Sequence, residues 1–249
     1  MSFFRSSIFA VVFYAWSAFM SPLYLPLTLG SRRFFWRCCL SWCRSCIWLI
    51  RVLLGIDFEV RGQEHLKGEP VIVAAKHQSA WDTLVFNAII LDCAYVVKRE
   101  LFWFPFFGWF LSRVGMIGID RSGGATALKK LVADCKEQLA SRRTIIIFPQ
   151  GTRTPPGAER PYLPGTAALY TQCKVPVVPT ALNSGVFWPR RTFVKRPGTV
   201  VVEFLPPIAP GLNRREFSAR LEAEIESATT RIEQEAYSKY GYQPAATID

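Results

Sequence analysis

Near its N-terminus the chain has a long run without charged residues, and this run limits the folds open to it. No Asp, Glu, Lys or Arg occurs between Arg5 and Arg32. About twenty such residues cross a bilayer as a helix, but Pro22 and Pro26 interrupt the run, and a proline inside a helix removes a donor and clashes with the preceding turn. The unbroken part, residues 6–21, would be roughly 24 Å long, less than a hydrocarbon core of about 30 Å. The run therefore predicts either a kinked span or a re-entrant helix that enters one leaflet.

The next segment, residues 33–54, predicts a helix lying in the membrane interface. Arg37, Arg44 and Arg51 recur every seven residues and Arg33 lies one turn earlier, so all four share one helical stripe. Most of the other residues are Phe, Trp, Cys, Leu and Ile, which is typical of a helix lying beside anionic lipid. The alternative is an ordinary amphipathic helix with its arginines in solvent, and the broad apolar face argues against it. The arginine cluster also argues against a cleaved signal peptide and predicts that the chain after it stays in the cytoplasm.

The net charge limits the kinds of binding partner, and the cysteine content argues against disulfides and a metal site. The net charge of +11 implies an anionic partner, and its sign alone does not choose among nucleic acid, anionic lipid and a phosphorylated substrate. The apolar N-terminus favours lipid. Seven cysteines, an odd number, do not suit a disulfide framework. The apolar stretch that holds Cys38, Cys39, Cys43 and Cys46 contains no His, Asp or Glu, so we interpret these cysteines as small hydrophobic residues in a reducing compartment and predict no metal site.

The rest of the chain predicts an α/β domain, because apolar, β-branched runs alternate with helical patterns. Strands are expected at residues 71–75, 94–98, 116–119, 144–148, 175–181 and 199–204, and helices at residues 81–91, 106–113, 124–140 and 165–173. A last helix should begin at Asn213, with Glu216 completing a capping box, and bury Phe217, Leu221, Ile225 and Ile232. The expected fold is a mixed, largely buried sheet flanked by helices, with an N-terminal membrane-attached helical pair. We divide the chain into N-terminal anchoring helices, residues 1–56, and a catalytic domain, residues 57–249.

One histidine follows a buried strand and precedes an aspartate by five residues. His77 follows the strand predicted at residues 71–75 with only Lys76 between them, and Asp82 lies at the start of the next predicted helix. If Ser79 is the N-cap, Asp82 is at N3 and His77 lies in the turn, where its ring can fold back onto the carboxylate. An Asp that holds one imidazole nitrogen leaves the other as a general base, and the nucleophile could be a hydroxyl of the substrate. The alternatives are that Asp82 only caps the helix, or that His65, in a polar turn, is the base.

Three further segments lie within predicted strands or at their ends. Phe148-Pro-Gln-Gly-Thr-Arg153 places a glycine where backbone N–H groups can approach a ligand and an arginine that can bind phosphate. Lys98-Arg-Glu-Leu101, followed by Pro105 and Gly108, ends another strand with two cations and one acid. Val175-Pro-Val-Val-Pro179 predicts an edge strand or a pocket wall, because its prolines cannot serve a central ladder. Each segment alone is also explained as a turn, a solvated charge cluster or an edge strand.

Together these segments resemble the family that includes the 1-acylglycerol-3-phosphate and glycerol-3-phosphate acyltransferases. Lys76-His-Gln-Ser-Ala-Trp-Asp82 is similar to that family's His-x4-Asp block, and the other segments follow in the family's order, with residues 115–121 similar to the stretch between the second and third blocks. The bacterial lysophosphatidic acid acyltransferases look most similar. Two residues depart from the pattern: Lys76 stands where Asn is frequent, and Gln150 where Glu is usual.

The resemblance implies roles for individual residues. His77 would be the base and Asp82 its partner. Residues for substrate phosphate would be Lys98, Arg99, Gly151, Thr152 and Arg153, with Gln150 and Glu100 supporting the headgroup. The acyl pocket would include Val175, Pro176, Val177, Val178 and Pro179. The implied reaction moves an acyl group from acyl-CoA or acyl carrier protein to the sn-2 hydroxyl of 1-acyl-sn-glycerol 3-phosphate, with no metal and no cofactor, at the cytosolic face of a bacterial inner membrane.

Other activities stay open at this point. Glycerol 3-phosphate, lyso-ornithine lipid or another lysophospholipid could serve as acceptor. A hydrolase or a cysteine-based transferase would use Cys93, Cys135 or Cys173, none of which lies beside a histidine in sequence. Asn183-Ser-Gly185 lacks the flanks of a nucleophile elbow. A non-catalytic lipid-binding protein is a third class, and nucleic-acid binding is the least favoured.

Overall fold

A seven-stranded sheet forms the centre of the protein in the computed structural model, which describes residues 1–243. The strands are β1 (Ile56–Arg61), β2 (Ile72–Ala75), β3 (Ala94–Lys98), β4 (Ile117–Ile119), β5 (Ile145–Ile147), β6 (Val177–Leu182) and β7 (Gly198–Phe204). The helices are α1 (Ser2–Tyr24), α2 (Arg32–Leu49), α3 (Asp82–Ile89), α4 (Phe107–Val114), α5 (Gly124–Ala140), α6 (Pro164–Cys173), α7 (Ser184–Phe187) and α8 (Arg214–Tyr240). The strand order is β1-β7-β6-β2-β5-β3-β4, and only the β6–β7 pair is antiparallel. The predicted α/β class with a mixed sheet is confirmed.

The sequence does not predict β1, which forms one edge of the sheet and pairs in parallel with β7. Charged residues alternate there with Ile56, Phe58 and Val60. That alternation is the pattern of a half-buried strand, and it was obscured by its position at the predicted domain boundary. The division of the chain at residue 56 stays a prediction. Residues on both sides of it pack together, since Ile50 and Leu54 belong to the same buried cluster as Phe86 of α3. Residues 244–249 of the predicted catalytic domain lie outside the described part of the chain.

The strand expected at residues 175–181 is present as β6, but the prediction that residues 175–179 form an edge is wrong, because β6 lies inside the sheet between β7 and β2. The sheet accepts Pro179 because the antiparallel ladder is interrupted beside it, between the Thr180–Phe204 pair and the isolated Val177–Ile208 bridge. Pro179 still accepts a hydrogen bond there, from the backbone N–H of Leu205 at 2.9 Å. The N–H that proline lacks is therefore not required by a neighbouring strand.

Helices α1 and α2 form a hairpin, and both the base and the tip of this hairpin are hydrogen-bonded to the rest of the chain. Helix α1 continues through Pro22, so its 23 residues extend over roughly 34 Å, more than the sequence predicted. By length and composition it could cross a membrane. At the base of the hairpin Arg5 Nε donates to the Leu53 carbonyl at 2.7 Å. At its tip Arg113 of α4 donates to the carbonyls of Thr28, at 2.7 Å, and Gly30.

The C-terminal helix covers β6 and β7 from the other side of the sheet. Asn213 and Glu216 form the predicted capping box, and Asn213 Oδ1 accepts the N–H of Arg215 and of Glu216, each at 3.0 Å. The predicted core stripe is confirmed, since Phe217, Leu221, Ile225 and Ile232 are all buried. Helix α8 therefore forms a fixed support behind the central strands.

A fully buried arginine joins the sheet edge to the N-terminal hairpin. Arg143 Nε lies 3.0 Å from Asp92 Oδ1, and its other nitrogens donate to the carbonyls of Cys93, Val114 and Gly115 at 2.9–3.0 Å. Asp92 in turn accepts two hydrogen bonds, at 2.7 and 2.8 Å, from Arg32 at the start of α2. This network fixes the position of the N-terminal end of α2 relative to the sheet.

Replacing the buried arginine should therefore destabilise the whole fold. In Arg143→Met the carbonyls lose their donor and Asp92 keeps only one partner, so the free energy of unfolding should fall by about 3–5 kcal/mol. Chemical denaturation in detergent measures the change. The matched control is Arg142→Met, because this neighbouring side chain is 70% exposed, and its effect should stay within about 0.5 kcal/mol. Equal effects of the two variants would contradict the assigned role of Arg143.

Candidate active site

His77 and Asp82 meet in the turn between β2 and α3. His77 Nδ1 lies 2.8 Å from Asp82 Oδ2, and Asp82 is completely buried. The same oxygen accepts the backbone N–H of Gln78 at 2.8 Å and of Ser79 at 2.9 Å. Because Oδ2 accepts from these donors, the hydrogen bond from His77 is made by Nδ1–H. With its proton on Nδ1, the neutral imidazole has an unprotonated Nε2, which is the form that a general base needs.

The local structure around Asp82 differs from the prediction. Helix α3 begins at Asp82 with Trp81 as its N-cap, so Ser79 is not the N-cap and Asp82 is not at N3. Ser79 Oγ instead accepts the N–H of Trp81 at 3.2 Å, which stabilises a turn before the helix. Asp82 reaches back into that turn and holds two of its N–H groups together with the histidine.

The imidazole is also fixed by an aromatic ring that sequence reasoning did not single out. The ring of Phe148 stacks on that of His77, with centroids 4.0 Å apart and planes inclined by 18°. Phe148 follows β5, the parallel neighbour of β2, so both residues emerge at the same edge of the sheet. The N–H of Thr154 donates to the His77 carbonyl at 2.8 Å. The signal was present, because Phe148 is the first residue of the third block.

Arg153 follows the glycine turn of the third block, and Arg121, from another segment, lies beside that turn. Gly151 has φ +66°, and an added Cβ would lie 2.5 Å from Leu163 Cδ1 and 3.8 Å from Arg121 Cζ. Arg121 and Arg153 line the same cavity as His77. Neither forms a salt bridge within residues 1–243. Arg121 ends the 115–121 stretch and was not among the predicted site residues, although a cation at the end of a resembling segment was a usable signal.

The second block reaches the site with only one of its predicted residues. Lys98 lines the cavity and forms a salt bridge with Glu100 at 3.0 Å. Arg99 is turned to Asp120, at 3.1 Å, and to the ring of Trp103, 6.0 Å away. Neither Arg99 nor Glu100 lines the cavity.

The remaining predicted residues are distributed between the turn and the sheet. Thr152 lines the cavity beside Gly151. Gln150 is buried, and neither polar atom of its side chain has a hydrogen-bond partner in the part of the chain described. An ionised Glu would be costly in such surroundings. The predicted acyl-pocket residues do not line the cavity: Val175, Pro176, Val177, Val178 and Pro179 lie in or beside β6.

The residues on either side of His77, Lys76 and Gln78, bind the turn to helix α8. Lys76 is buried, and its Nζ lies 2.5 and 2.8 Å from the carboxylate oxygens of Glu226 on α8. Gln78 Nε2 donates to Glu233 Oε1, also on α8, at 2.5 Å, and its Oε1 accepts the N–H of Gly185 at 2.9 Å. Lys76, which departs from the family pattern, is thus matched by an acid on the C-terminal helix.

The Lys76–Glu226 pair should behave as a coupled unit. Lys76→Met and Glu226→Gln each leave one charge without its partner, and each should lower the free energy of unfolding by about 1–3 kcal/mol, reduced by solvent screening because Glu226 is 34% exposed. The double variant should lose less than the sum of the two. Thermal unfolding of all four proteins measures the coupling, and strictly additive losses would contradict it.

A large apolar cavity extends from the histidine to the N-terminal hairpin. Its volume is about 1330 Å³, above the roughly 300–1,000 Å³ of ordinary small-molecule pockets. Phe13, Met20 and Leu40 of the hairpin line it together with Phe110 and Met116 of the catalytic part. The arrangement can hold a long apolar chain with a polar group at the histidine and an anion at the two arginines.

Other candidate residues lie away from this cavity. Burial raises the pKa of the Cys93 thiol to about 12 and also raises the pKa values of Cys135 and Cys173. None of the three lines the cavity, and a protonated thiol is a poor nucleophile. His65 Nδ1 lies 3.0 Å from the Phe204 carbonyl, outside the cavity.

The chain is similar to known acyltransferases in sequence and in fold. Residues 57–183 match the model of the acyltransferase family. The 1-acyl-sn-glycerol-3-phosphate acyltransferase of Pseudomonas aeruginosa is 39% identical over 196 residues, 77% of this chain and 76% of the relative. The enzyme of that name from Saccharomyces cerevisiae is 31% identical over 65% of this chain, which spans about half, 54%, of the yeast protein. The crystal structure of the 1-acyl-sn-glycerophosphate (LPA) acyltransferase PlsC from Thermotoga maritima has the same fold, with a TM-score of 0.75 over 93% of this chain and 98% of that one at 21% identity.

Proposed function

This chain belongs to the acyltransferase family, and from that premise we propose that it transfers a fatty acyl group to the sn-2 hydroxyl of 1-acyl-sn-glycerol 3-phosphate, giving phosphatidic acid. The observation that carries the proposal is the position of His77. Its ring, hydrogen-bonded to Asp82, lines a largely apolar cavity that Arg121 and Arg153 also line. A lysophosphatidate has the matching parts: an apolar chain, a hydroxyl and a phosphate.

In the proposed mechanism the acceptor hydroxyl is the nucleophile. His77 Nε2 removes its proton as the oxygen attacks the thioester carbonyl, and Asp82 stabilises the imidazolium that forms. The tetrahedral intermediate then collapses, the carbon–sulfur bond breaks, and the imidazolium returns its proton to the departing thiolate. General base catalysis of this kind contributes about 10²–10⁴-fold. The chemistry as written uses no metal, no cofactor and no acyl-enzyme.

The proposed acyl donor is acyl-CoA or acyl carrier protein. Arginines continue outward from Arg153 on one side of the site, since Arg190 Nη1 donates to the Arg153 carbonyl at 2.9 Å. Burial, together with the positive charges of Arg191, Arg153 and Arg160, lowers the pKa of Arg190. A cationic surface of this kind suits the phosphates of coenzyme A as well as an acidic carrier protein.

The proposed location is the cytosolic face of a bacterial inner membrane. Arg33, Arg37 and Arg44 of α2 are all exposed, as expected for a helix beside anionic lipid. Because the hairpin contacts the catalytic part at its base and at its tip, α1 and α2 fit insertion into one leaflet better than a span that would carry the tip across the bilayer.

Substitution of Arg121 or Arg153 should reduce activity only with an acceptor that carries a phosphate. Arg121→Gln and Arg153→Gln each remove a charge-assisted contact, so kcat/KM for lysophosphatidate should fall about 10- to 100-fold, mainly through KM. Turnover of an unphosphorylated monoacylglycerol should not change. Arg214→Gln, an exposed substitution on α8, is the matched control. Equal losses on both acceptors would remove the arginines from phosphate binding.

An acceptor panel tests the proposed function itself. The purified protein is given lysophosphatidate, glycerol 3-phosphate and lyso-ornithine lipid, each with acyl-CoA and with acyl carrier protein, and mass spectrometry resolves the products. We expect phosphatidic acid as the main product. A clear preference for glycerol 3-phosphate or lyso-ornithine lipid would replace the proposed acceptor with that compound.

A further inference from the structure

Residues 101–112 form a second apolar segment, separate from the N-terminal helices. The stretch contains no charged residue, and seven of its twelve residues are Phe or Trp. Three of these side chains are largely exposed: Trp103 at 69%, Phe104 at 58% and Trp109 at 53%. An exposed aromatic cluster of this density on a folded surface indicates an interaction site.

The exposed aromatic side chains are presented by a rigid turn. Phe106 has φ +60° and ψ −62°, and the N–H of Phe107 donates to the Pro105 carbonyl at 2.7 Å, which is a strained conformation for a non-glycine residue. At Gly108 an added Cβ would lie 2.1 Å from the Phe102 carbonyl oxygen, so only glycine allows this close approach. The turn is therefore fixed by its backbone, and the exposure of its rings is a property of the fold.

This segment is continuous with the surface of the hairpin. The ring of Phe110 lies 5.3 Å from that of Phe35 on α2, and Arg113, just beyond the segment, holds the hairpin tip through Thr28. Helix α2 carries exposed aromatic residues of its own, Phe34 at 48% and Trp48 at 60%. Two elements distant in sequence thus contribute exposed Phe and Trp side chains to adjoining surfaces.

The segment also borders the cavity. Pro105, Phe106 and Phe107 line it, whereas Trp103, Phe104 and Trp109 do not. One turn therefore has its middle residues in the cavity wall and its flanking rings exposed. The cavity wall and the exposed aromatic side chains therefore adjoin each other in this segment.

We propose that residues 101–112 insert into the same lipid leaflet as the hairpin and bring the mouth of the cavity into contact with the membrane. Trp and Phe are the residues favoured at the membrane interface, and a rigid turn inserts them without the entropic cost of ordering a flexible loop. A lipid acceptor would then enter the cavity sideways from the leaflet. This inference concerns membrane contact and goes beyond the transfer reaction proposed above.

Fluorescence quenching tests the insertion without any need for turnover. The full-length protein is reconstituted in vesicles of phosphatidylglycerol and phosphatidylethanolamine, and its tryptophan emission is quenched either by brominated lipid or by iodide in the water. In the variant Trp103→Phe/Trp109→Phe, the emission that brominated lipid quenches should be reduced, as it should in Trp48→Phe. Trp81→Phe, which changes a buried ring, should leave the lipid-quenched emission unchanged.

The quenching experiment has two outcomes that overturn the proposal. If Trp103→Phe/Trp109→Phe instead reduces the emission that iodide quenches, the segment faces water. If the emission quenched by brominated lipid and that quenched by iodide are both the same in this variant as in the unaltered protein, the rings are covered by protein, such as a second copy of this chain.

A second variant tests the consequence for lipid entry. Trp103→Ser/Phe104→Ser/Trp109→Ser should lower turnover of a long-chain acceptor in vesicles at least about tenfold. Turnover of a short-chain, water-soluble acceptor should stay within about twofold, since none of the three residues lines the cavity. Equal loss on both acceptors would overturn lateral entry. Absence of activity in the unaltered protein would count against the transfer reaction and leave the quenching result standing.

Discussion

His77→Gln should reduce acyl transfer by about 10²–10⁴-fold while the protein stays folded. The amide side chain fills much of the space of the imidazole but cannot take a proton from a hydroxyl. The ring contact with Phe148 is lost, yet the turn keeps other hydrogen bonds. The backbone N–H of Gln78 donates to the Asp82 carboxylate, and the N–H of Thr154 donates to the His77 carbonyl. We therefore expect the loss in kcat and only a small change in melting temperature.

The second histidine provides the matched control for this variant. His65→Gln keeps a side-chain donor for the Phe204 carbonyl and lies outside the cavity, so its turnover should equal that of the unaltered protein. A His77→Gln variant that retained most of its activity would exclude His77 as the base.

Asp82→Asn should also cost about 10³–10⁴-fold in kcat, because the carboxylate sets the histidine tautomer and stabilises the imidazolium. An amide loses the negative charge, and if its NH₂ group faces Nδ1 it selects the tautomer with a proton on Nε2, which is inactive as a base. The alternative role considered from the sequence was helix capping. Asn caps a helix about as well as Asp, so a capping role would survive this substitution.

Comparing kcat with melting temperature separates these two roles for Asp82. We expect a large loss of turnover with modest loss of stability. Asp134→Asn, a change on α5 at a side chain that is 29% exposed, controls for the altered charge. Full activity in Asp82→Asn would reduce the aspartate to a structural residue.

The central residues of the site could be predicted because their signals are local in sequence. His77 and Asp82 lie five residues apart at the end of an apolar strand, and parallel strands bring the third block to the same edge of the sheet. The Asn213 capping box and the buried stripe of α8 depend on spacing alone, and both are confirmed.

What could not be predicted depends on contacts between distant parts of the chain. The Lys76–Glu226 pair joins residues 150 positions apart, so nothing near Lys76 shows why a lysine is accepted there. The position of β6 inside the sheet depends on an interruption in its pairing with β7, which local sequence does not encode. The cavity is formed by the hairpin closing over the catalytic part, and its wall therefore includes none of the valines and prolines predicted for it.

The most direct test of the central claim is a measurement of thiol release before and after the acceptor is added. The purified protein is mixed with acyl-CoA, and free CoA is followed with a thiol reagent in the absence of any acceptor. If His77 activates the lipid hydroxyl for direct attack, no burst of CoA should appear until lysophosphatidate is added, and one phosphatidic acid should then form for each CoA released. A burst of CoA equal to the protein concentration before addition of the acceptor would indicate an acyl-enzyme and would contradict the direct transfer.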